Sequence, residues 1–119
     1  MAQAYNAFAN GGKRLTAYGI SRIRTREGRV IYQRSARESR PIQAIANPPL
    51  LYMNDMLRGV ITSGTARSVA IAGRDLAGKT GTTNDAKDVW FVGFTSNIVA
   101  GCYIGYDQPK PMGRGATGG

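Results

Sequence analysis

Histidine is absent from this chain of 119 residues, and cysteine occurs only once, at Cys102. The absence of histidine excludes a Ser-His-Asp or Cys-His catalytic pair and every metal site with a histidine ligand. A single cysteine cannot form an internal disulfide, and its apolar surroundings predict that Cys102 is a small buried residue rather than a reactive thiol. We therefore expect no bound metal and no cofactor.

Long hydrophobic runs are missing as well. The longest, residues 98–106, has about half of the ~20 residues that a membrane-spanning helix needs. Met1 is followed by neither a basic stretch nor a long apolar one, so no signal peptide is expected here. We expect any export or anchoring signal to lie outside these residues.

Acidic residues are scarce, with seven against sixteen Lys and Arg, which gives a formal net charge of +9. Most of the excess lies in residues 13–40, called here the basic segment, which carries nine basic and two acidic residues and a net charge of +7. Such a concentration of one sign indicates a solvated surface or contact with an anionic partner such as a phospholipid surface. Nucleic acid is disfavoured because only Tyr18 and Tyr32 accompany the arginines as stacking groups and no nucleic-acid-binding motif is present.

The basic segment is predicted to form a β-hairpin. Glu27-Gly28 suits a two-residue turn, since glycine readily adopts the positive φ that such turns require. This turn predicts four cross-strand pairs: Thr25 with Val30, Arg24 with Ile31, Ile23 with Tyr32 and Arg22 with Gln33. Alternation then places four arginines on one face, namely Arg22, Arg24, Arg26 and Arg29. Because like charges opposite one another repel, that face needs good solvation or an anion.

Outside the basic segment, apolar spacing and turn residues predict the remaining elements. We expect a helix over residues 1–10, a loop over 35–46, a helix over 48–62 that Asn47 caps, and a short helical turn within 65–70. Strands are expected at 75–82, 89–95 and 98–106. In the last two strands, apolar residues occur at both odd and even positions and so on both faces of each strand, which indicates burial on two faces. The sequence therefore predicts a single α+β domain of the α/β sandwich type, with an antiparallel sheet and helices packed on both of its faces.

Lys79 is the candidate for chemistry, and two motifs contain it. Residues 73–80, Gly-Arg-Asp-Leu-Ala-Gly-Lys-Thr, match the phosphate-binding loop of nucleotide-binding proteins, which requires a helix directly after the loop. Residues 81–88 are turn-rich and fewer than the about twelve of a parallel crossover, so this interpretation is disfavoured. The alternative is Lys79-Thr80-Gly81 on a strand that lines an active site, although this triplet alone is a weak signal.

The residues around the triplet are more specific. Residues 77–95, Ala-Gly-Lys-Thr-Gly-Thr-Thr-Asn-Asp-Ala-Lys-Asp-Val-Trp-Phe-Val-Gly-Phe-Thr, closely resemble the transpeptidase domain of class A penicillin-binding proteins. The chain also resembles this family at residues 1–12, at Met-Leu-Arg-Gly-Val (56–60), at Gly-Thr-Ala (64–66) and at Gly-Arg-Gly (113–115). The resemblance covers nearly the whole chain, most loosely at 33–46. It implies an incomplete fold of the serine β-lactamase and transpeptidase type.

The resemblance implies a peptidoglycan D,D-transpeptidase, a serine acyltransferase that cross-links stem peptides and is acylated by penicillins. Lys79 would supply positive charge for the terminal carboxylate of the donor peptide and for a neighbouring serine. The hydroxyl groups of Thr80 and Thr82 would bind that carboxylate, and the backbone N–H of Thr82 would donate to the oxyanion. Gly81 would leave the strand bare, so that an extended substrate can lie beside it as an added strand.

Two motifs of the family, Ser-x-x-Lys and Ser-x-Asn, occur at none of the six serines. The resemblance thus implies that residues 1–119 are the C-terminal portion of the domain, with the Lys-Thr-Gly strand and its following hairpin at about 75–106. This portion would lack the serine nucleophile and be inactive alone. The parent protein is expected to carry a glycosyltransferase domain and an N-terminal membrane helix. It would act at the outer, periplasmic face of the bacterial cytoplasmic membrane.

The partners that the resemblance implies are peptidoglycan stem peptides, β-lactams and the rest of the transpeptidase domain. Anionic lipid or wall precursors are expected to contact Arg22, Arg24, Arg26 and Arg29. Two other interpretations stay open. The chain is a non-catalytic module that binds an anionic surface through the basic segment, or it is a relative of the serine β-lactamases, which share Lys-Thr-Gly without the flanking match.

Overall fold

The structure is a computed structural model, and it describes residues 1–113 and 115–119. The described residues form two α-helices, seven β-strands and two 3₁₀ turns. The helices are α1 (Ala2–Ala9) and α2 (Pro49–Thr62), and the 3₁₀ turns are Arg67–Val69 and Asn84–Ala86. The strands are β1 (Lys13–Arg14), β2 (Arg22–Arg24), β3 (Val30–Gln33), β4 (Ile42–Gln43), β5 (Ala77–Thr82), β6 (Asp88–Phe94) and β7 (Val99–Gly105). This order confirms the predicted succession of helix, basic hairpin, helix and C-terminal strands.

Strands β5, β6 and β7 form one antiparallel sheet, with β6 in the centre. In the register of this sheet, Ala77 pairs with Phe94, which pairs in turn with Val99. At the other end, Gly81 pairs with Trp90. Helices combined with antiparallel sheets confirm the α+β class.

The core lies where the two helices pack against one end of this sheet. Leu57 of α2 is buried with Ala77 and Phe94, and Tyr5 and Phe8 of α1 pack against them. The buried residues of α2 recur at helical spacing: Leu50, Leu57 and Ile61. Such a stripe holds one side of a helix against its neighbours. Through it, α2 is fixed beside β5.

The helix α2 begins later than the sequence predicts. Asn47 is expected to cap it, but Pro48 occupies the cap position and no side chain bonds to the first turn. Pro49 is the first helical residue, where a missing N–H breaks no hydrogen bond within the helix. Two consecutive prolines therefore move the start of the helix beyond Asn47.

The range predicted as a loop, 35–46, contains the short strand β4. Lys13 pairs with Gln43 and Arg14 pairs with Ile42, so β1 and β4 close the base of the basic segment. A strand of two residues is too short to show a periodic sequence pattern. The sequence therefore gives no signal for this pairing.

The burial of β7 differs from the prediction. Residues 100–104 are exposed, although their apolar pattern predicts burial on both faces. The buried position predicted for Cys102 is wrong for the same reason, because this residue is exposed. Helix α1 has eight residues, and the core that it joins reaches β7 only at Val99. Within residues 1–113 and 115–119, the remainder of the strand is left uncovered.

The basic segment forms the predicted hairpin from β2 and β3, with a different turn. The N–H of Thr25 donates to Arg29 O at 2.8 Å, and the N–H of Gly28 donates to Thr25 O at 3.0 Å. Gly28 has a φ of 89°, in the left-handed region that glycine tolerates. The turn therefore has three residues, 26–28, instead of the two predicted.

The longer turn shifts the register by one residue next to the turn, and a bulge restores the predicted register at Ile23 and Arg22, which pairs with Gln33 as predicted. Ile23 pairs with Tyr32 as predicted, whereas Arg24 pairs with Val30 and leaves Ile31 as a bulge. Alternation from the Thr25–Arg29 contact then places Arg29 on the face of Ile23 and Tyr32. The prediction that four arginines share one face is therefore wrong, because Arg24 lies on the opposite face from Arg29.

Gly78 and Gly93, which are cross-strand partners, make room for the ring of Phe91. A Cβ on Gly78 would lie 2.8 Å from Phe91 Cζ and 2.8 Å from Val92 O. A Cβ on Gly93 would lie 2.6 Å from Phe91 Cε1. The ring thus lies over bare backbone of both strands and ties β5 to β6.

Replacing Gly78 with alanine should lower the free energy of unfolding by about 1–3 kcal/mol, because the new methyl group overlaps backbone atoms that cannot move without distorting the strand pair. Denaturant-induced unfolding of the variant and the parent measures this loss. Gly101→Ala on β7 is the control, since its Cβ would meet Val92 Cγ2 at 3.8 Å, an ordinary contact. Equal losses in the two variants would contradict the argument.

Candidate functional site

The run Lys79-Thr80-Gly81-Thr82 lies on β5, at an open edge of the sheet. Strand β5 pairs with β6 on one side, and no other strand of the described residues pairs with its second side. An unpaired edge presents backbone N–H and C=O groups that can bond to an added strand. The predicted placement of Lys79 on a strand is thus confirmed.

The turn after β5 determines which backbone groups face this edge. The N–H of Thr83 donates to Asp88 O at 3.0 Å. Because bonded and non-bonded pairs alternate along antiparallel strands, Lys79 and Gly81 direct their backbone groups toward β6. The N–H and C=O groups of Thr80 and Thr82 therefore point to the open edge.

Lys79 brings positive charge to the same edge. The residue is exposed, and its Nζ donates to Thr80 O at 2.9 Å and to Thr80 Oγ1 at 3.4 Å. Within the described part of the chain, no carboxylate lies within ion-pair distance of Lys79. The charge, a hydroxyl group and an outward carbonyl group are therefore adjacent. Residues 118 and 119 lie against the same part of β5, since a Cβ on Gly119 would come 2.7 Å from Thr80 Cγ2 and one on Gly118 would come 2.9 Å from Gly81 O.

Gly81 is not required by packing inside the sheet. A Cβ at this position would lie 3.4 Å from Trp90 Cβ, which is an ordinary van der Waals contact. The missing side chain matters for a group that approaches β5 along its open edge. This is the role that the sequence predicts for Gly81, and it stays a prediction.

Thr65 is a site residue that the sequence analysis did not single out. Its Oγ1 lies 2.8 Å from Thr80 Oγ1, so the two hydroxyl groups share a hydrogen bond. The backbone around Thr65 is anchored to the end of α2, because the N–H of Ala66 donates to Val60 O at 3.0 Å and Ala66 is fully buried. In the sequence, only the family likeness of the Gly-Thr-Ala run at 64–66 points to Thr65, and this likeness does not predict a role for the residue.

The turn that joins β5 to β6 is held by polar contacts. The N–H of Asp88 donates to Thr83 Oγ1 at 2.8 Å, and Tyr103 Oη donates to Asp88 Oδ1 at 2.8 Å. The hydrogen bond to the Asp88 carboxylate is the main cause that raises the pKa of Tyr103 above its ordinary value. Asp88 thus connects the start of β6 to β7 and to the turn.

Other kinds of site are not supported at these residues. Strand β5 continues to Thr82 and no helix follows Thr80, so the phosphate-binding loop is wrong as an interpretation of residues 73–80. Within residues 1–113 and 115–119, no group of three or more His, Cys, Asp or Glu side chains is placed to hold a metal ion. None of the helices in this part of the chain is long and apolar enough to cross a membrane.

A separate cleft of about 660 Å³ lies at the opposite end of β5. Its lining includes Arg58 and Asp75, whose side chains form an ion pair at 2.9 Å. Residues 79–82 do not line it. The candidate site is therefore the exposed edge of the strand and not this cleft.

Comparison with known proteins agrees with this geometry. Residues 1–118 match the family model described as Penicillin binding protein transpeptidase domain. Penicillin-binding protein 1A of Neisseria gonorrhoeae is 47% identical over 123 aligned residues, which cover 100% of this chain and 15% of that protein. Penicillin-binding protein 1A of Rickettsia bellii is 42% identical over 97% of this chain and 17% of that protein. The chain thus spans less than a fifth of the length of these relatives.

Solved structures show the same fold. Penicillin-binding protein 1A from Haemophilus influenzae matches with a TM-score of 0.78 and 24% identity, over 96% of this chain and 22% of that chain. The D,D-transpeptidase domain of a peptidoglycan glycosyltransferase from Eggerthella lenta matches with a TM-score of 0.69 and 32% identity, over 80% and 23%. The transpeptidase-like fold is therefore confirmed. Because the family model covers nearly its whole length, this chain belongs to the penicillin-binding protein transpeptidase domain family and covers part of that domain.

Proposed function

We propose that this chain forms the carboxylate-binding and oxyanion side of the cleft of a peptidoglycan D,D-transpeptidase. The observation that carries the proposal is the unpaired edge of β5, where the ammonium group of Lys79 donates to the outward Thr80 O and the backbone groups of Thr82 face the same edge. A peptide that ends in a carboxylate needs such a combination of strand edge and positive charge. We also propose that this portion is the C-terminal part of the domain.

The donor peptide binds in an extended form along β5. Its backbone bonds to the N–H and C=O groups that face the open edge, as an added strand does. Its terminal carboxylate lies near Lys79 Nζ and accepts hydrogen bonds from the hydroxyl groups of Thr80 and Thr82. Bonds between charged groups and donors are stronger than neutral ones, so the carboxylate fixes the position of the peptide.

The backbone N–H of Thr82 stabilises the negative charge that develops during acyl transfer. A serine Oγ attacks the carbonyl carbon between the last two D-alanine residues, and the carbonyl oxygen becomes an oxyanion. The serine proton passes to the leaving amine, and free D-alanine departs. An amine of a second stem peptide then takes the acyl group, which forms the cross-link and restores the serine. Removal of one oxyanion donor typically costs about 2.7–4 kcal/mol of transition-state stabilisation.

The nucleophile of this reaction is not among the residues of this chain. None of the six serines is followed three places later by lysine, so the Ser-x-x-Lys pattern is missing. The proposal therefore requires the rest of the domain to supply the serine and to lie against the open edge of β5. By itself this chain would bind the donor peptide and polarise its carbonyl group, but it has no serine to attack that group.

The proposed setting of the reaction is the outer, periplasmic face of the bacterial cytoplasmic membrane. The relatives are several times longer than this chain. We propose that the complete protein carries a glycosyltransferase domain and an N-terminal membrane helix. At that face of the membrane, the site on β5 would lie next to newly made peptidoglycan.

The basic segment has a second proposed role, which is contact with an anionic partner. Its net charge of +7 supports the role. Contact with lipid through a single arginine face is not supported, because Arg24 and Arg29 lie on opposite faces of the hairpin.

Labelled penicillin tests the main proposal, because a β-lactam acylates the serine that attacks the donor. We expect a covalent adduct on the folded full-length protein and none on residues 1–119 alone, as seen after denaturing electrophoresis. An adduct on the isolated chain would contradict the absence of a nucleophile. A folded full-length protein that forms no adduct would overturn the transpeptidase assignment.

Proline at position 82 tests the oxyanion role directly. Thr82→Pro in the full-length protein removes the outward N–H without breaking a bond to β6. The rate of penicillin acylation is expected to fall by about 10²–10³-fold, as for the loss of one oxyanion donor. Thr82→Ala keeps the N–H and is the control, with a much smaller expected loss. A proline variant that melts like the parent and reacts at the parental rate would exclude this role.

The hydrogen bond between Thr65 and Thr80 predicts that the two residues act as a unit. Thr80→Val should slow acylation about tenfold, because a hydroxyl bond to the carboxylate is lost. Thr65→Val should cause a smaller loss on its own and no further loss in the double variant, since Thr65 acts through Thr80. Serine at either position retains the hydroxyl and should retain the rate. Losses that add in the double variant would contradict the coupling.

A further inference from the structure

One face of the basic hairpin carries a shallow apolar groove. Tyr18, Gly19 and Ile20, which precede β2, line it together with Ile23 and Tyr32 and enclose about 440 Å³. The four large side chains of the groove are between 38% and 57% exposed. Apolar side chains of this size gathered in one open concavity mark a surface that binds a partner.

Arg34 borders the groove at Tyr18, and the register places Arg29 on the same face, beyond the other end of the groove. The N–H of Arg34 donates to Ser21 O at 2.9 Å, and its guanidinium carbon lies 4.3 Å from the centre of the Tyr18 ring. Arg29 lies on the same face, opposite Thr25. The two cross-strand pairs are separated by four steps along the chain, about 13 Å at ~3.3 Å per residue. The apolar groove therefore lies between two positive charges of the same face.

Arg29 forms no ion pair with a carboxylate among the described residues, whereas Arg34 lies close enough to Glu38 for its charge to act on that carboxylate, and its guanidinium donates to Ser39 Oγ at 3.2 Å. Glu38 accepts hydrogen bonds from the Ser35 hydroxyl at 2.7 Å and the Ser35 N–H at 2.9 Å, which lower the pKa of its carboxyl group. A backbone N–H and the Thr25 hydroxyl lower the pKa of Glu27 in the same way. Among the residues that the structure describes, no arginine of the segment forms an ion pair with a carboxylate.

The shape of the hairpin distinguishes between a membrane and a polymer. Its tip, Arg-Glu-Gly-Arg at 26–29, is charged, whereas the apolar residues lie in the concavity toward its base. A loop that inserts into a bilayer places apolar residues where they enter the lipid. The basic residues of the segment are eight arginines and one lysine, and the planar fork of arginine fits carboxylates.

We propose that this groove binds an extended glycan strand that carries carboxylate groups. The rings of Tyr18 and Tyr32 pack against the apolar faces of sugar rings, and Arg29 and Arg34 bind carboxylates on either side of the groove. The choice of a peptide-bearing wall glycan rests on the proposed function, because that reaction acts on such a polymer. The hairpin and β5 belong to different sheets, so the groove is a contact separate from the reacting peptide.

Co-sedimentation of the full-length protein with purified insoluble peptidoglycan tests this proposal. The protein is first acylated with penicillin, so that the reaction cleft is occupied and cannot hold the polymer. The same peptidoglycan with its carboxylates amidated, and vesicles of phosphatidylglycerol and phosphatidylcholine, are the comparison ligands. Failure to acylate would count against the transpeptidase and not against the groove.

The variants Arg29→Gln and Tyr32→Ala are expected to weaken binding to peptidoglycan about tenfold each, as for the loss of a bond to a charged group or of a stacking ring. Arg24→Gln is the matched control, since it removes the same charge from the opposite face of the same hairpin, and it should bind like the parent. Amidation should remove the difference between Arg29→Gln and the parent. Penicillin acylation of every variant at the parental rate shows that the fold is intact, and Tyr32→Phe, which keeps the ring, should bind normally.

Three results would overturn the proposal. Equal losses for Arg24→Gln and Arg29→Gln would show a response to net charge alone. Parental binding by Arg29→Gln and Tyr32→Ala would show that the groove takes no part. Loss of vesicle binding in the same two variants, without loss of peptidoglycan binding, would show that the partner is a lipid surface.

Discussion

The hydrogen bond from Thr83 N–H to Asp88 O determines what β5 can offer to a ligand. In an antiparallel ladder one bonded pair determines all the others, because bonded and non-bonded pairs alternate. If the hydrogen-bonding phase were shifted by one residue, the N–H of Thr82 would donate to β6 and would no longer point to the open edge. The contacts of Asp88 with Thr83 Oγ1 and Tyr103 hold the turn in the required phase. The proposed role of the strand thus depends on a turn outside the Lys-Thr-Gly triplet.

The strand must also stay in place when its open edge is occupied. The ring of Phe91, a residue of β6, lies over Gly78 of β5. The buried Leu57 of α2 packs against Ala77, which also belongs to β5. The segment after α2 then places Thr65 against Thr80, so the orientation of the Thr80 hydroxyl group, which is proposed to bind a carboxylate, is linked to the helix. Side chains that are positioned before binding lose less entropy when a ligand arrives. The apolar core at one end of β5 therefore supports the polar site at the other.

The sequence predicts those parts of the structure that local patterns determine. The strand that carries Lys79, the helix α2 and the succession of the last three strands follow from apolar spacing and turn residues. The family likeness predicted the fold from the residues around the Lys-Thr-Gly triplet. The contact between Thr65 and Thr80 could not be predicted, since it joins two segments fifteen residues apart and depends on how α2 packs. The exposure of Cys102 was also missed, because an apolar pattern shows which residues can be buried and not which elements are present to cover them.

The hairpin shows how a single residue can redirect a surface. A two-residue turn at Glu27-Gly28 would have put Arg29 beside Arg24, on a face that only solvent or a broad anionic surface could satisfy. Gly28 adopts the left-handed region and Ile31 forms a bulge. As a result, the side chain of Arg29 lies on the same face of the hairpin as Tyr32. A shift of one residue exchanges the two faces of a strand, so the bulge moves Arg29 away from Arg24 and onto the face of the apolar groove. Charge composition alone predicts an anionic partner, whereas the register determines which arginines share a face with Ile23 and Tyr32, and so which face the proposed partner would meet.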